Sequence, residues 1–195
     1  MIVTIGRQHG SDGHAVAEAL AKKLGVPCYS KEIVDHTAKS ANLSRDVVSS
    51  YDEKRVSPFF IADTPFFGAS EIYQLNTQIA SAQFDTIRSL AARGDAVFVG
   101  RCADYVLRGR PDLLRVFVMA DQPFRIKTLM ARYGLSEDQA KKRAKVVDKD
   151  RASYYSYYTD QTWGETESYD LCLNVARLGV DGCVETIAAC LDAIK

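Results

Sequence analysis

Residues 2–15 read Ile-Val-Thr-Ile-Gly-Arg-Gln-His-Gly-Ser-Asp-Gly-His-Ala, a β-branched strand running through a glycine-rich turn into an amphipathic helix. Such an opening commits the chain to setting a strand end, a tight turn and a helix amino terminus side by side. Gly6, Gly10 and Gly13 permit positive φ and close backbone approach, so successive N–H groups can converge on an anion where the helix presents its positive end. Phosphate chemistry is the first function to test. The pattern departs from G-x-x-x-x-G-K-[ST], which would put glycine at Gln8, lysine at His14 and a hydroxyl at Ala15. A plain tight connection is the structural alternative.

The rest of the chain predicts an α/β fold. Gly13 to Leu24 places Val16, Leu20 and Leu24 at helical spacing, with Gly25 as the stop. Residues 26–29 form a second strand candidate, and Ser30 is placed to cap a helix from Lys31. Ser44 to Lys54 reads as a helix, Arg55 to Gly68 as an aperiodic aromatic loop on the substrate side, and Ala69 to Arg93 as a long helix. The all-apolar run 96–100 and the run from Leu113 to Met119 suit parallel strands covered on both faces. Helices are expected from Pro123 to Tyr133, after the S-x-x-Q capping box of Ser136 and Gln139, and from Val180 to Ile194, with a last strand from Tyr169 to Val175. This alternation predicts a three-layer α/β/α sandwich on a mostly parallel sheet of about five strands. Residues 1–195 read as one domain, with an acceptor-binding region at 30–68 and a helical lid at 134–165.

Composition narrows the partners. Twenty-five Lys and Arg balance twenty-five Asp and Glu, so no overall field favours a nucleic acid polymer or an anionic membrane, and a small molecule is the expected ligand. The five cysteines are scattered without C-x-x-C spacing and read as reduced thiols, neither a disulfide frame nor a zinc site. With no apolar run of membrane-spanning length, a cytoplasmic location is expected; the oligomeric state is left open.

Phosphoryl transfer needs donors and cations converging from separate elements, and three sources are visible. The first is the loop itself, with Gly10, Ser11, Asp12, Gly13, His14 and Ala15 around the donor phosphates and Arg7 or His14 in place of the missing lysine. His14 reads equally as a polar residue in a helix's first turn. The second is Arg101, leaving an apolar strand at the ligand-facing end, where it holds a phosphate or pairs with Asp104 at helical spacing. The third is the basic run from Lys141 to Arg151, where Asp148 and Asp150 flank the cations; it reads as a lid or as a solvated helix face. Tyr154, Tyr155, Tyr157, Tyr158 and Trp163 follow, with packing as the default role for most of them.

Several stretches taken in order resemble the cytidylate kinase-like family, a branch of the P-loop nucleoside monophosphate kinases. They are residues 4–13, 27–34, 98–107 and 148–155, with Trp163-Gly164-Glu165 and residues 169–174. The resemblance implies a P-loop kinase sandwich that transfers the ATP γ-phosphoryl to CMP or dCMP with Mg²⁺. Carried onto this chain, it puts the donor phosphates on residues 10–15, and the acceptor nucleotide near Ser30, Arg101 and Asp104. Lys145, Asp148, Asp150 and Arg151 fall in the lid, with Arg7, His14 and Arg151 as catalytic cations and Ser11 as the available metal ligand. His14 and Cys102 stand where well-studied cytidylate kinases carry lysine and aspartate. The alternatives are a nucleotide-binding or sensor protein that kept the fold with little or no chemistry, and a kinase for another small phosphate acceptor.

Overall fold

The computed structural model describes residues 1–54 and 69–194, without the side chains of 69–73. Five strands, β1 (Ile2–Arg7), β2 (Cys28–Tyr29), β3 (Ala96–Val99), β4 (Leu113–Met119) and β5 (Leu171–Asn174), form one sheet in the order β2-β3-β1-β4-β5. Every pairing is parallel, with Ile5 opposite Val99 on one side and Val116 on the other. The carboxyl ends of β1 and β3 therefore lie adjacent at the centre of the sheet, where the strand order reverses.

Alternation along the strands builds two cores. Val3, Ile5, Val97, Val99, Val116 and Val118 face α1 (Gly13–Leu24) and α8 (Val175–Ala193) through Val16, Leu20, Ile187 and Leu191. On the other face, Ile2 and Phe98 meet Ile33 of α2 (Lys31–Ser40), Ile87 of α4 (Ala69–Ala91), Ala103 of α5 (Ala103–Val106) and Tyr154 of α7 (Glu137–Thr159). The strands are apolar on both sides because helices cover both, which is the α/β/α sandwich the sequence predicts. A smaller cluster joins α3 (Arg45–Tyr51) to α2 and α4, and another joins α6 (Gln122–Tyr133) to α7.

Local signals set most boundaries. The Ser44 and Asp121 side chains accept the Val47 and Phe124 N–H groups at the starts of α3 and α6, and the Ser136–Gln139 capping box opens α7. Ser30 departs from its expected capping role: its side chain makes no cap bond, and its own N–H donates instead to Glu32 Oε2 at 2.9 Å. Helix α8 begins five residues before the expected Val180 because a first turn from Val175 precedes a break at Gly179, where φ is 68° and ψ 174°. The aromatic loop read at 55–68 lies outside the described residues.

Candidate active site

The turn between β1 and α1 is tied down by its neighbours. Gln8 N–H donates to Val118 O, and its side-chain Oε1 accepts the Ala120 N–H, which fixes the turn against the end of β4. Of the three turn glycines, Gly10 alone takes a positive φ, 84°, and a Cβ there would sit 2.8 Å from Arg125 O. Gly6 and Gly13 serve close approach: a Cβ on Gly13 would meet Arg7 Cβ at 2.5 Å, and one on Gly6 would meet the Phe117 ring. Asp12, left-handed at φ 57°, ends the turn, and the first intrahelical bond runs from Val16 N–H to Asp12 O. The N–H groups of Gly13, His14 and Ala15 precede that bond and carry the positive end of the helix dipole.

These residues line a cavity of about 480 Å³, within the range of small-molecule sites. Its wall runs from Gly10, Asp12, Gly13, His14 and Ala15 across to Ser30, Arg101 and Arg151. Donor-side and acceptor-side candidates from separate stretches thus share one space. Lys145 is exposed and Asp150 half-buried, and neither lines this wall.

Arginines dominate the chemistry. Arg7 forms a two-pronged bond to Glu53, at 2.6 and 2.7 Å. Arg101, 4% exposed, forms a second with Asp52, through Nε at 2.8 Å and Nη2 at 2.6 Å, and also donates to Val99 O. Its partner is therefore Asp52 and not Asp104, whose carboxylate accepts from Tyr155 OH at 2.7 Å. Arg101 and Cys102 both hold left-handed backbone, φ 56° and 55°, in a turn closed by Ala103 N–H on Gly100 O. That conformation costs non-glycine residues about 1–2 kcal/mol each. It turns the Arg101 N–H onto Glu53 Oε1 at 2.9 Å. Gly100 (φ 72°) is required beside it, since a Cβ there would lie 2.0 Å from Glu53 Oε1.

Helix α7 reaches the loop from above. Asp148 accepts the His9 N–H at 2.7 Å and pairs with Arg125, which also donates to His9 O. One turn on, Arg151 donates to Arg7 O at 3.0 Å. Its buried Nε lies 3.4 Å from Glu53 Oε2 without a hydrogen-bond partner among the described residues. Asp148 thus braces a cation of α6, where the sequence suggested support for its own neighbours in α7.

The electrostatics follow from this crowding. Burial alone would raise the Glu53 carboxyl, but Arg7, Arg151 and Arg101 hold it well below the usual carboxylate range. Arg151 is lowered to about 10 by burial and by Arg7 beside it. His9 falls to about 4, through burial first and then Arg151, Arg143, Arg125 and Arg132. Asp104 is raised by burial, against the hydrogen bond from Tyr155.

The expectation for Ser11 changes. Ser11 is fully buried, and its hydroxyl contacts Gln8 O and Val118 O, so it braces the loop and does not face a cation in the cavity. His14 is 44% exposed and pairs with Glu18 at 3.1 Å, one helical turn along α1. Asp52, Glu53, Arg125 and Arg132 are not singled out by the sequence, whereas Arg143 falls in the basic run from Lys141 to Arg151. A seven-residue spacing on one helix face was the available signal for Arg125 and Arg132.

Comparison with known proteins agrees with this fold. The chain is 26% identical to a cytidylate kinase of Natronomonas pharaonis over 193 residues, covering 99% of this chain and 90% of that one. It superposes on a crystal structure of an uncharacterized protein from Eubacterium ventriosum with a TM-score of 0.77 and 30% identity, covering 99% of both chains. Shikimate kinase of Bacteroides thetaiotaomicron shares the fold at TM-score 0.57 and 12% identity, over 98% of both chains. The model of the cytidylate kinase-like family matches residues 2–177, and the chain belongs to that family.

Proposed function

We propose that the protein is a nucleoside monophosphate kinase that moves the γ-phosphoryl group of ATP to CMP or dCMP. The observation carrying this reading is the shared cavity, where the amino terminus of α1 and its glycine turn face Arg101, Ser30 and Arg151 across one space. The main-chain N–H groups of residues 13–15 suit the donor phosphates. Arg101, at the carboxyl end of β3, suits the acceptor phosphate.

The attacking phosphate oxygen is already anionic, so alignment and charge neutralisation supply most of the rate and no strong base is needed. Arg151 is the best-placed substitute for the absent loop lysine: it is buried, touches the Arg7 carbonyl at the start of the turn and keeps an Nε–H that makes no hydrogen bond among the described residues, 3.4 Å from Glu53. Arg7 is committed to Glu53, and His14 to Glu18. For Mg²⁺ the protein donors fit poorly. Ser11 points into backbone, Ala15 has no hydroxyl, and no group of three His, Cys, Asp or Glu among the described residues is arranged to hold a metal. The cation is therefore read as part of the MgATP substrate.

An ADP-release assay with CMP, dCMP, UMP and AMP tests the assignment. Turnover highest with CMP or dCMP is expected, and ATP binding without turnover on any acceptor contradicts it. The second reading, a nucleotide-binding protein with little or no chemistry, draws on the carboxylates already seated on Arg7 and Arg101.

A further inference from the structure

Asp52 and Glu53 take no part in the phosphoryl transfer proposed above, yet they occupy its best cations. Asp52 fills the fork of Arg101. Glu53 fills the fork of Arg7, accepts the Arg101 N–H and approaches Arg151. Two guanidinium forks, a third guanidinium and a main-chain N–H converging at the ends of β1 and β3 are what a phosphate requires. Surface ion pairs do not assemble in this way, since here the cations lie side by side and largely buried. The buried Nε–H of Arg151 adds to this, since it faces Glu53 Oε2 at 3.4 Å without a hydrogen-bond partner among the described residues.

The carboxylates lie just past the end of helix α3, and besides Arg101 the Asp52 carboxylate accepts from Gln83 Nε2 at 3.1 Å. Helix α3 has seven residues and contributes one buried side chain, Val48, to its small cluster with α2 and α4. Charge then limits the ligand. Replacing two carboxylates with one dianion leaves the site's charge unchanged, whereas a monoanion would leave an extra buried guanidinium uncompensated.

We propose that Asp52 and Glu53 are resident stand-ins for a phosphate dianion, holding Arg7, Arg101 and Arg151 together until the phosphate of a monoester ligand displaces both. This rests on the kinase reading only in identifying the ligand as the acceptor nucleotide; the anion exchange needs no turnover. A closed occupant lowers apparent affinity by the fraction of time that the site is open.

The test uses the full chain with inorganic phosphate, sulfate and acetate as probes at pH 8, followed by calorimetric titration and thermal melting. Glu53→Gln is expected to bind phosphate about tenfold or more tightly than the natural chain. It should melt lower without anion, and saturating phosphate or sulfate should raise its Tm by about 5 °C or more, while acetate does not. Toward pH 5.5 phosphate loses its second charge and should weaken, with sulfate unchanged. Should Glu53→Gln fail to fold, Glu53→Asp keeps the charge but shortens its reach, and tighter phosphate binding than in the natural chain is again expected. Binding no tighter in a folded variant, with a Tm that phosphate does not move, makes Glu53 a fixed brace and overturns the proposal. Equal rescue by acetate overturns the dianion requirement. Phosphate exchange without CMP turnover would leave this proposal standing and remove the kinase reading alone.

Discussion

Among single residues, Arg151 is the one whose surroundings and proposed role agree best. It is buried and reaches the turn, and its Nε–H faces Glu53 at 3.4 Å without a hydrogen bond among the described residues. Arg151→Gln is expected to lower kcat by about 10²–10³-fold, as for loss of a preorganised donor at a developing charge, with Arg151→Lys falling between the two. His14→Ala should change kcat by less than about tenfold, or about 1.4 kcal/mol, since His14 is half out in solvent and paired with Glu18. Steady-state kinetics on both variants check the ordering. His9 gives a pH prediction. Its folded-state value of about 4 lies below the ordinary histidine value, so between about pH 4 and about pH 6.5 the unfolded chain binds more protons. Stability should therefore rise with pH through that window and fall on acidification. Melting curves across it should show a shallower slope for His9→Asn than for the natural chain.

At the scale of elements, α7 joins core to site: Tyr154 and Tyr155 are buried in the second core, while Asp148 and Arg151 hold the turn. Its capping box is worth testing alone. Ser136→Ala is expected to cost about 0.5–2 kcal/mol, lowering Tm by a few degrees in a chain of this size, with kinetic constants little changed. Asp148→Asn, by contrast, weakens both the His9 N–H bond and the Arg125 pair and should raise the KM for ATP more than that for CMP. The strands were legible as apolar runs, α1 and α6 from their glycine stops at Gly25 and Gly134, and α7 from its capping box. The extra turn of α8 was not, since Gly179 reads as a boundary whether the chain breaks there or only kinks. Ser30 misled for a related reason: a hydroxyl before a helix suggests a cap, but Glu32 reaches back to its N–H instead.

For the whole molecule, sheet order matters most, because placing β3 beside β1 sets Gly100 and Arg101 against Arg7. Gly100→Ala should force Arg7 and Glu53 apart in addition to adding a left-handed strain of about 1–2 kcal/mol, lowering both Tm and activity. The turn and Arg101 were visible in the sequence because glycine spacing and strand ends are local signals. Asp52 and Glu53 were not, since Tyr51-Asp52-Glu53-Lys54 looks like any solvated helix end until the fold folds it over three arginines. The same holds for Arg125, whose importance depends on α6 packing beside the turn. The central claim is that the turn after β1 holds nucleotide phosphates through main-chain N–H groups with no lysine in its usual slot. Backbone amide resonances followed during an ATP titration test it most directly. The amides of Gly10, Gly13, His14 and Ala15 are expected to shift together on one saturable curve; ATP saturation that leaves all four unmoved would contradict main-chain phosphate binding at this turn.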